Sequence, residues 1–272
     1  MNEKNLAYLN SQLFYTGFGQ RLATELQKSL ESGAPAFELY YRAGNDYENL
    51  TAALHFTKSR KTDLYFFNSY RLEVCRKNRE SIEAQVFFIR KPYHFTLKEA
   101  YNLLHGRSVY KTVRSENGES YPTWMRLDKQ VMDKKGNYQI EQFSANYGFD
   151  LHTELERLPI QEWAHAAERE ALCQSLHRGN RQSATLELVE DDIPVFLEAN
   201  PKYKTIKIYD ETFAAVQYVH EDPGGGRLER LWDKKETPPE SVEQEARAEH
   251  EDKPESDSED VEKKTGKKKE RS

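Results

Sequence analysis

Four stretches decide the fold: Phe37-Glu-Leu-Tyr-Tyr41, Leu50-Thr-Ala-Ala-Leu-His-Phe56, Leu64-Tyr-Phe-Phe-Asn-Ser-Tyr-Arg-Leu-Glu-Val74 and Ile82-Glu-Ala-Gln-Val-Phe-Phe88. Apolar residues recur at every second position. Phe37, Leu39 and Tyr41 alternate, as do Leu50, Ala52, Leu54 and Phe56; Leu64, Phe66, Tyr70, Leu72 and Val74 follow, then Ile82, Ala84, Val86 and Phe88. Ala43-Gly-Asn-Asp46, Lys58-Ser-Arg-Lys61 and Arg76-Lys-Asn-Arg79 interrupt them as polar turns. A period of two with tight turns predicts a four-stranded antiparallel meander, one face packed and the other wet.

On the N-terminal side the period changes to that of a helix. Leu6, Leu9, Leu13 and Phe14 recur at helical spacing, and Leu22, Leu26 and Leu30 do so again. Gly17 and Gly19 part the two runs and Gly33-Ala-Pro35 ends the second, which predicts a helical hairpin over residues 1–33. The meander and the helix after it make up residues 34–107. Thr96 and Glu99 stand at capping-box spacing, so that helix runs over Leu97–His105 and stops at Gly106. Residues 108–220 read as a second α+β segment. Tyr121–Leu127 and Tyr138–Phe143 pair across Lys134-Lys-Gly-Asn137. Asp150 starts a helix that Pro159 interrupts, and Ile160–His177 forms a longer one closed by Gly179. Strands around Ala184–Leu188, Val195–Leu197 and Ile206–Ile208 end the segment in a hairpin. Strands joined by turns, not by crossover helices, make the fold class α+β and not doubly wound. No dinucleotide or phosphate-loop fingerprint is present: Gly17-Phe-Gly19 lacks the preceding strand and the third glycine.

Composition sets further bounds. The 272 residues carry 40 basic and 46 acidic side chains, and only 37% are hydrophobic. Residues 221–272 hold 17 acids and 12 bases, so the first 220 are nearly neutral. Beyond Trp232 no aromatic residue occurs, and a segment so poor in apolar surface cannot offset its own conformational entropy. We expect residues 221–272 to be a disordered charged tail, set off at Asp222-Pro-Gly-Gly-Gly226, whose Gly224-Gly-Gly226 reads as a linker. No apolar run reaches the ~18 residues that span a bilayer, and Met1-Asn-Glu-Lys-Asn5 lacks the basic-then-apolar order of a signal peptide. Two cysteines, Cys75 and Cys173, make neither a disulfide framework nor a zinc site by themselves. The expectation is a cytoplasmic protein without a membrane partner.

Three segments carry a resemblance. Glu198-Ala-Asn-Pro-Lys-Tyr-Lys-Thr-Ile-Lys-Ile-Tyr-Asp210, Thr96-Leu-Lys-Glu-Ala-Tyr-Asn-Leu-Leu-His-Gly-Arg107 and Gly179-Asn-Arg-Gln-Ser183 resemble a family of uncharacterised Bacteroidota proteins. Met1-Asn-Glu-Lys-Asn-Leu6 and Tyr15-Thr-Gly-Phe-Gly19 look like the same family. Its members carry a domain of unknown function, and many are encoded on conjugative or mobilisable elements. The resemblance spans about residues 1–219 and implies genetic context and a cytoplasmic location, but no mechanism and no functional residue. On its own, Asn200-Pro201 favours a turn and Thr205–Tyr209 a strand, so the motif also has a purely folding role.

Candidate functional residues follow from the meander. Lys58, Arg60 and Lys61 sit at one end, and Arg76, Lys77 and Arg79 sit roughly 40 Å away at the other. The fourth strand returns Arg90 and Lys91 toward the first end, followed by Tyr93, His94 and Phe95. Five bases beside aromatic rings hold a phosphate backbone and stack unpaired bases. The structural alternative is that Tyr93 and Phe95 pack under the Leu97 helix. In the tail, Lys263, Lys264, Lys267, Lys268 and Lys269 form a basic block for nucleic acid or an acidic partner. Enzymatic readings are weaker. Asp63, Glu83 and Gln85 would be a metal-dependent nuclease, yet Glu83 lies opposite the expected core face of its strand. Cys173 and His177, in line with His165 and Arg169, supply two metal ligands where a site needs more. The expectation is a non-enzymatic accessory protein of a mobile element, with no catalytic residue, cofactor or metal assigned, that contacts nucleic acid at the basic sheet end or tail. The rival is an adaptor that docks a protein partner of the element through a Tyr- and Phe-rich sheet face.

Overall fold

The alternation between residues 36 and 88 forms the expected meander. In a computed structural model that describes residues 2–77, 82–89, 93–115, 117–189, 191–221 and 225–231, strands β1 (Ala36–Gly44), β2 (Glu48–Lys58), β3 (Tyr65–Arg76) and β4 (Ile82–Phe88) pair antiparallel in chain order. Register aligns Leu39 with Leu54, Leu54 with Tyr70, and Tyr70 with Phe87, so one apolar row crosses all four strands. Helices α1 (Glu3–Thr16), α2 (Ala23–Glu31) and α3 (Leu97–Leu104) supply Leu9, Leu13, Leu26, Leu30 and Leu103 to the same core. The capping box of α3 is present: the Glu99 carboxylate accepts from Thr96 N at 2.8 Å, and Thr96 Oγ1 accepts from Glu99 N at 3.4 Å. Asn5 ties α1 to the sheet, since its carboxamide accepts from Tyr65 N (2.7 Å) and donates to Tyr65 O (3.0 Å).

Two inward-facing sets differ from the alternation read in sequence. A bulge shifts the β2–β3 register between His55 and Phe56, so Tyr65 and Phe67 turn inward and Phe66 outward. In β4 the buried residues are Gln85 and Phe87, while Ile82 and Phe88 are exposed. The expected face of Ile82, Ala84, Val86 and Phe88 is therefore the outer one. Gln85 is tolerated inside because the main chain of Tyr138 satisfies both ends of its carboxamide.

A second sheet, β5 (Val109–Arg114), β6 (Ser120–Met132) and β7 (Tyr138–Ser144), joins the first core to another. Met125 and Leu127 of β6 face the first core, and Trp124 faces the second. The third sheet, in the order β12-β11-β10-β9-β8, consists of β8 (Gln182–Glu187), β9 (Asp192–Asn200), β10 (Thr205–Tyr209), β11 (Ala215–Glu221) and β12 (Gly225–Arg230). It packs with α4 (Leu151–Glu156) and α5 (Ala166–His177) around Leu155, Leu172, Leu176, Leu186 and Leu197. Asp150 caps α4, accepting from Thr153 N at 2.7 Å.

The fold is α+β, with corrections in the second half. The helix expected over Ile160–His177 is a 3-10 turn at Gln161–Trp163 followed by α5. Ile160 bridges to Leu186, and the Glu162 carboxylate accepts Thr185 N, so the segment is drawn to the edge of β8. The tail was expected from residue 221, but Gly225–Arg230 is a strand paired with β11, where Tyr218 opposes Leu228. Two glycines and one useful apolar residue read as linker, because the partner that completes the alternation lies on the strand before. Residues 232–272 lie outside the described residues. Among those described, no helix is long and apolar enough to cross a membrane.

Candidate binding cleft

The α1–α2 turn, the β1–β2 hairpin, the start of α3 and the α5–β8 loop enclose a cleft of ≈ 720 Å³. Gly17 ends α1 at φ +99°, a value L side chains rarely adopt, and leaves Tyr15 76% exposed at the rim. Tyr41 lines the cleft from β1, and the Arg21 guanidinium lies 5.9 Å from its ring centre. Leu50 and Leu97 add apolar wall. The hairpin tip is held by Asn45, whose Oδ1 accepts from Tyr47 N (2.8 Å) and Glu48 N (3.0 Å).

Both carboxylates in the cleft are engaged within the protein. Glu48, 8% exposed, accepts from the Tyr101 hydroxyl through one oxygen and meets His105 Nε2 at 3.0 Å through the other. The other nitrogen of His105, Nδ1, faces Tyr101 O at 2.9 Å, so the ring is held between Glu48 and the α3 main chain. Burial alone would raise Glu48, but the Tyr101 hydroxyl, His105 and Arg76 outweigh it and hold the carboxyl below its usual range. Burial and the same hydrogen bond push the Tyr101 phenol up to about 12. Glu99 closes the capping box and pairs with Lys111 at 2.7 Å.

The cations are less committed. Lys98 Nζ lies 5.3 Å above the Tyr101 ring, and burial together with Arg107 lowers its pKa. Arg178 is exposed. Among the described residues neither makes an ion pair. The loop carrying Arg178 is rigid, because fully buried Asn102 donates to Arg178 O (2.7 Å) and Asn180 Oδ1 (3.0 Å). Gly179 between them has φ +77°, and a Cβ there would stand 2.7 Å from Ser108 O. The cleft thus presents the exposed Tyr15 ring, one side of the half-buried Tyr41 ring, and two cations, Lys98 and Arg178, that make no ion pair among the described residues, with the charge of Glu48 acting on Lys98.

The residues singled out in sequence are dispersed. Lys58 pairs with Asp63 at 2.5 Å and lies over Tyr65, which neutralises one charge of the expected rim. Arg60 and Lys61 are exposed in the β2–β3 turn. Arg90, Lys91 and the tail lysines Lys263, Lys264, Lys267, Lys268 and Lys269 lie outside the described residues. Tyr93 is half-buried, edge-on to Phe95 at 5.5 Å, and packed against the first core. Glu83 pairs with Arg76 and Lys129, away from Asp63. Burial pushes Cys173 up to about 11, and His177, lowered by burial, stacks on Tyr110 at 4.5 Å. No group of three or more His, Cys, Asp or Glu among the described residues is placed to hold a metal. Sequence reading missed Glu48 and His105, which sit 57 residues apart with no spacing signal between them. It did quote Tyr15–Gly19, Thr96–Arg107 and Gly179–Ser183, and all three segments contribute walls to the cleft. No protein-family model, no curated protein and no solved structure matches this chain.

Proposed function

We propose that this protein is a binding module that holds single-stranded nucleic acid in the cleft, in the cytoplasm and alongside the DNA-handling machinery of a mobile element. The carrying observation is the pairing of two tyrosines, exposed Tyr15 and half-buried Tyr41, with Lys98 and Arg178, which make no ion pair among the described residues, in a cleft whose Glu48 and Glu99 are already engaged. A nucleotide strand supplies what such a cleft lacks: flat bases for the rings and phosphates for the cations. The mobile-element setting rests on the quoted sequence segments. Anisotropy of labelled single-stranded and duplex DNA at two salt concentrations tests the reading. Lys98→Glu with Arg178→Glu should weaken single-strand binding at least tenfold, since each contact with a charged group contributes about 1.5–3 kcal/mol. Equal, weak binding by both proteins would refute it.

One observation favours the adaptor reading instead. Tyr40, Ile82 and Phe88, each about half exposed or more, share the outer face of the meander with Ala53, Ala84 and Val86. A stable protein complex that persists in high salt and leaves nucleic acid unbound would transfer the function to that face.

A further inference from the structure

The far face of the third sheet carries a second arrangement that the cleft does not use. Register places Lys207 of β10 beside Glu198 of β9, and Arg181 enters β8 on the other side of the same carboxylate. Arg181 Nη2 lies 3.3 Å from Glu198 Oε2, and Lys207 Nζ lies 3.1 Å from Oε1. Glu198 itself is only 4% exposed. Arg107, from the end of α3, also feels its charge and is repelled by Arg181. One buried carboxylate therefore stands among three cations, and no other ion pair among the described residues offsets the excess. Arg107 Nε and Arg181 Nε have no hydrogen-bond partner among the described residues.

The aromatic surroundings are equally particular. The Arg181 guanidinium lies flat on Tyr209, 3.8 Å from the ring centre, and 5.5 Å from Phe213. Such stacking fixes the planar fork beside Glu198, with the side chain partly exposed. Phe213 has φ +61°, a region that bulky L residues avoid. Asp210 enforces it by accepting from Thr212 N and Ala214 N, both at 2.9 Å. The turn holds the Phe213 ring against Phe196 at 4.7 Å and leaves it 55% exposed. Backbone strain of this kind, of order 1–3 kcal/mol, persists where the surrounding structure imposes it, and it gathers at ligand sites.

We propose that Arg181, Lys207 and Phe213 form a phosphate-binding site, in which the two cations take the phosphate oxygens and the Phe213 ring takes the base of a nucleotide. The site goes beyond the cleft reading and does not depend on it. Its ligand is a phosphate ester, either a free nucleotide or the backbone of a nucleic acid.

Isothermal titration calorimetry on the full chain tests this with inorganic phosphate, a nucleoside monophosphate and a short single-stranded oligonucleotide, each against chloride at matched ionic strength. Binding of at least one probe is expected, weakened about tenfold or more by Arg181→Gln. An advantage of the monophosphate over phosphate that vanishes in Phe213→Leu identifies a nucleotide. Tighter binding of the oligonucleotide than of either, measured in the Lys98→Glu with Arg178→Glu background and lost on adding Arg181→Gln, identifies a backbone. Absence of binding by all three probes overturns the site, as does binding that survives Arg181→Gln with Lys207→Gln. Should that double variant fail to fold, an unchanged affinity in Lys207→Gln, at a partly exposed lysine, overturns it equally. Binding of phosphate and monophosphate that is lost in Lys98→Glu with Arg178→Glu but kept in Arg181→Gln would place the ligand in the cleft and overturn this site, so the two fail separately.

Discussion

Glu48 is one residue through which the β1–β2 hairpin is tied to α3. Its folded pKa is depressed, so the unfolded chain binds the more protons and stability rises with pH across its titration. The contribution is complete above the ordinary value near 4.5 and fades as pH falls through the lower, folded value. Urea midpoints between pH 3 and pH 7 should therefore drop on the acid side in the native sequence. In Glu48→Gln that slope should flatten, with a loss of about 1.5–3 kcal/mol at pH 7, because Tyr101 and His105 lose a charged acceptor. A parallel slope in the variant would remove the ion pair as its cause. The two cysteines differ in a similarly local way. Cys173 is buried with its thiol pushed up to about 11, while Cys75 lies half-exposed on the outer face of the meander. At pH 8 iodoacetamide should label Cys75 in the native protein and Cys173 only after denaturation, as peptide mass mapping would register.

At the scale of elements, the chain discloses what neighbouring residues determine. Four strands, the helical hairpin and the Thr96–Glu99 cap were legible because each is a local pattern. The β4 face was not: Ile82, Ala84, Val86, Phe87 and Phe88 offer apolar residues on both sides, so alternation alone does not choose between them. The choice is made 53 residues away, where the turn before β7 presents the Tyr138 main chain to Gln85 and Asn137 Oδ1 to Val86 N. Gln85→Leu should thus leave the part-buried N–H and C=O of Tyr138 without this partner, lowering stability by about 1 kcal/mol or more in thermal or urea unfolding. A neutral or stabilising effect would show that hydrophobic pattern, not the amide clamp, sets the β4 face. The cleft was illegible for the same reason. Its walls come from four separate segments, and only the folded chain sets Lys98 and Arg178 around one opening. Likewise β11 and β12 escaped notice because each strand is short, and Leu228 gains its meaning from Tyr218 opposite.

The whole molecule carries a formal net charge of −6, most of it beyond residue 220. Its global field gives a polyanion no general attraction, so nucleic-acid affinity must come from local cations facing the strand. This restricts the salt dependence of binding. If Lys98, Arg178, Arg181 and Lys207 each displace one counterion, a plot of log affinity against log salt has a slope near −3, from ~0.7 per phosphate of a single strand. Affinity then falls roughly fiftyfold between 50 and 200 mM salt. Reversing Lys98 and Arg178 should remove about half of the slope as well as weaken binding, whereas reversing Lys58, already paired with Asp63, should change neither. Filter binding across that salt range measures all three slopes. A dedicated basic domain would show a steeper line that depends little on any two residues. A flat line unaltered by the double reversal would place any contact on the outer face of the meander, where Tyr40, Ile82 and Phe88 stand among Glu38, Arg71 and Glu73. The slope therefore decides between two surfaces that the same four strands hold apart: ring and cation on the inner edge, tyrosine and phenylalanine on the outer.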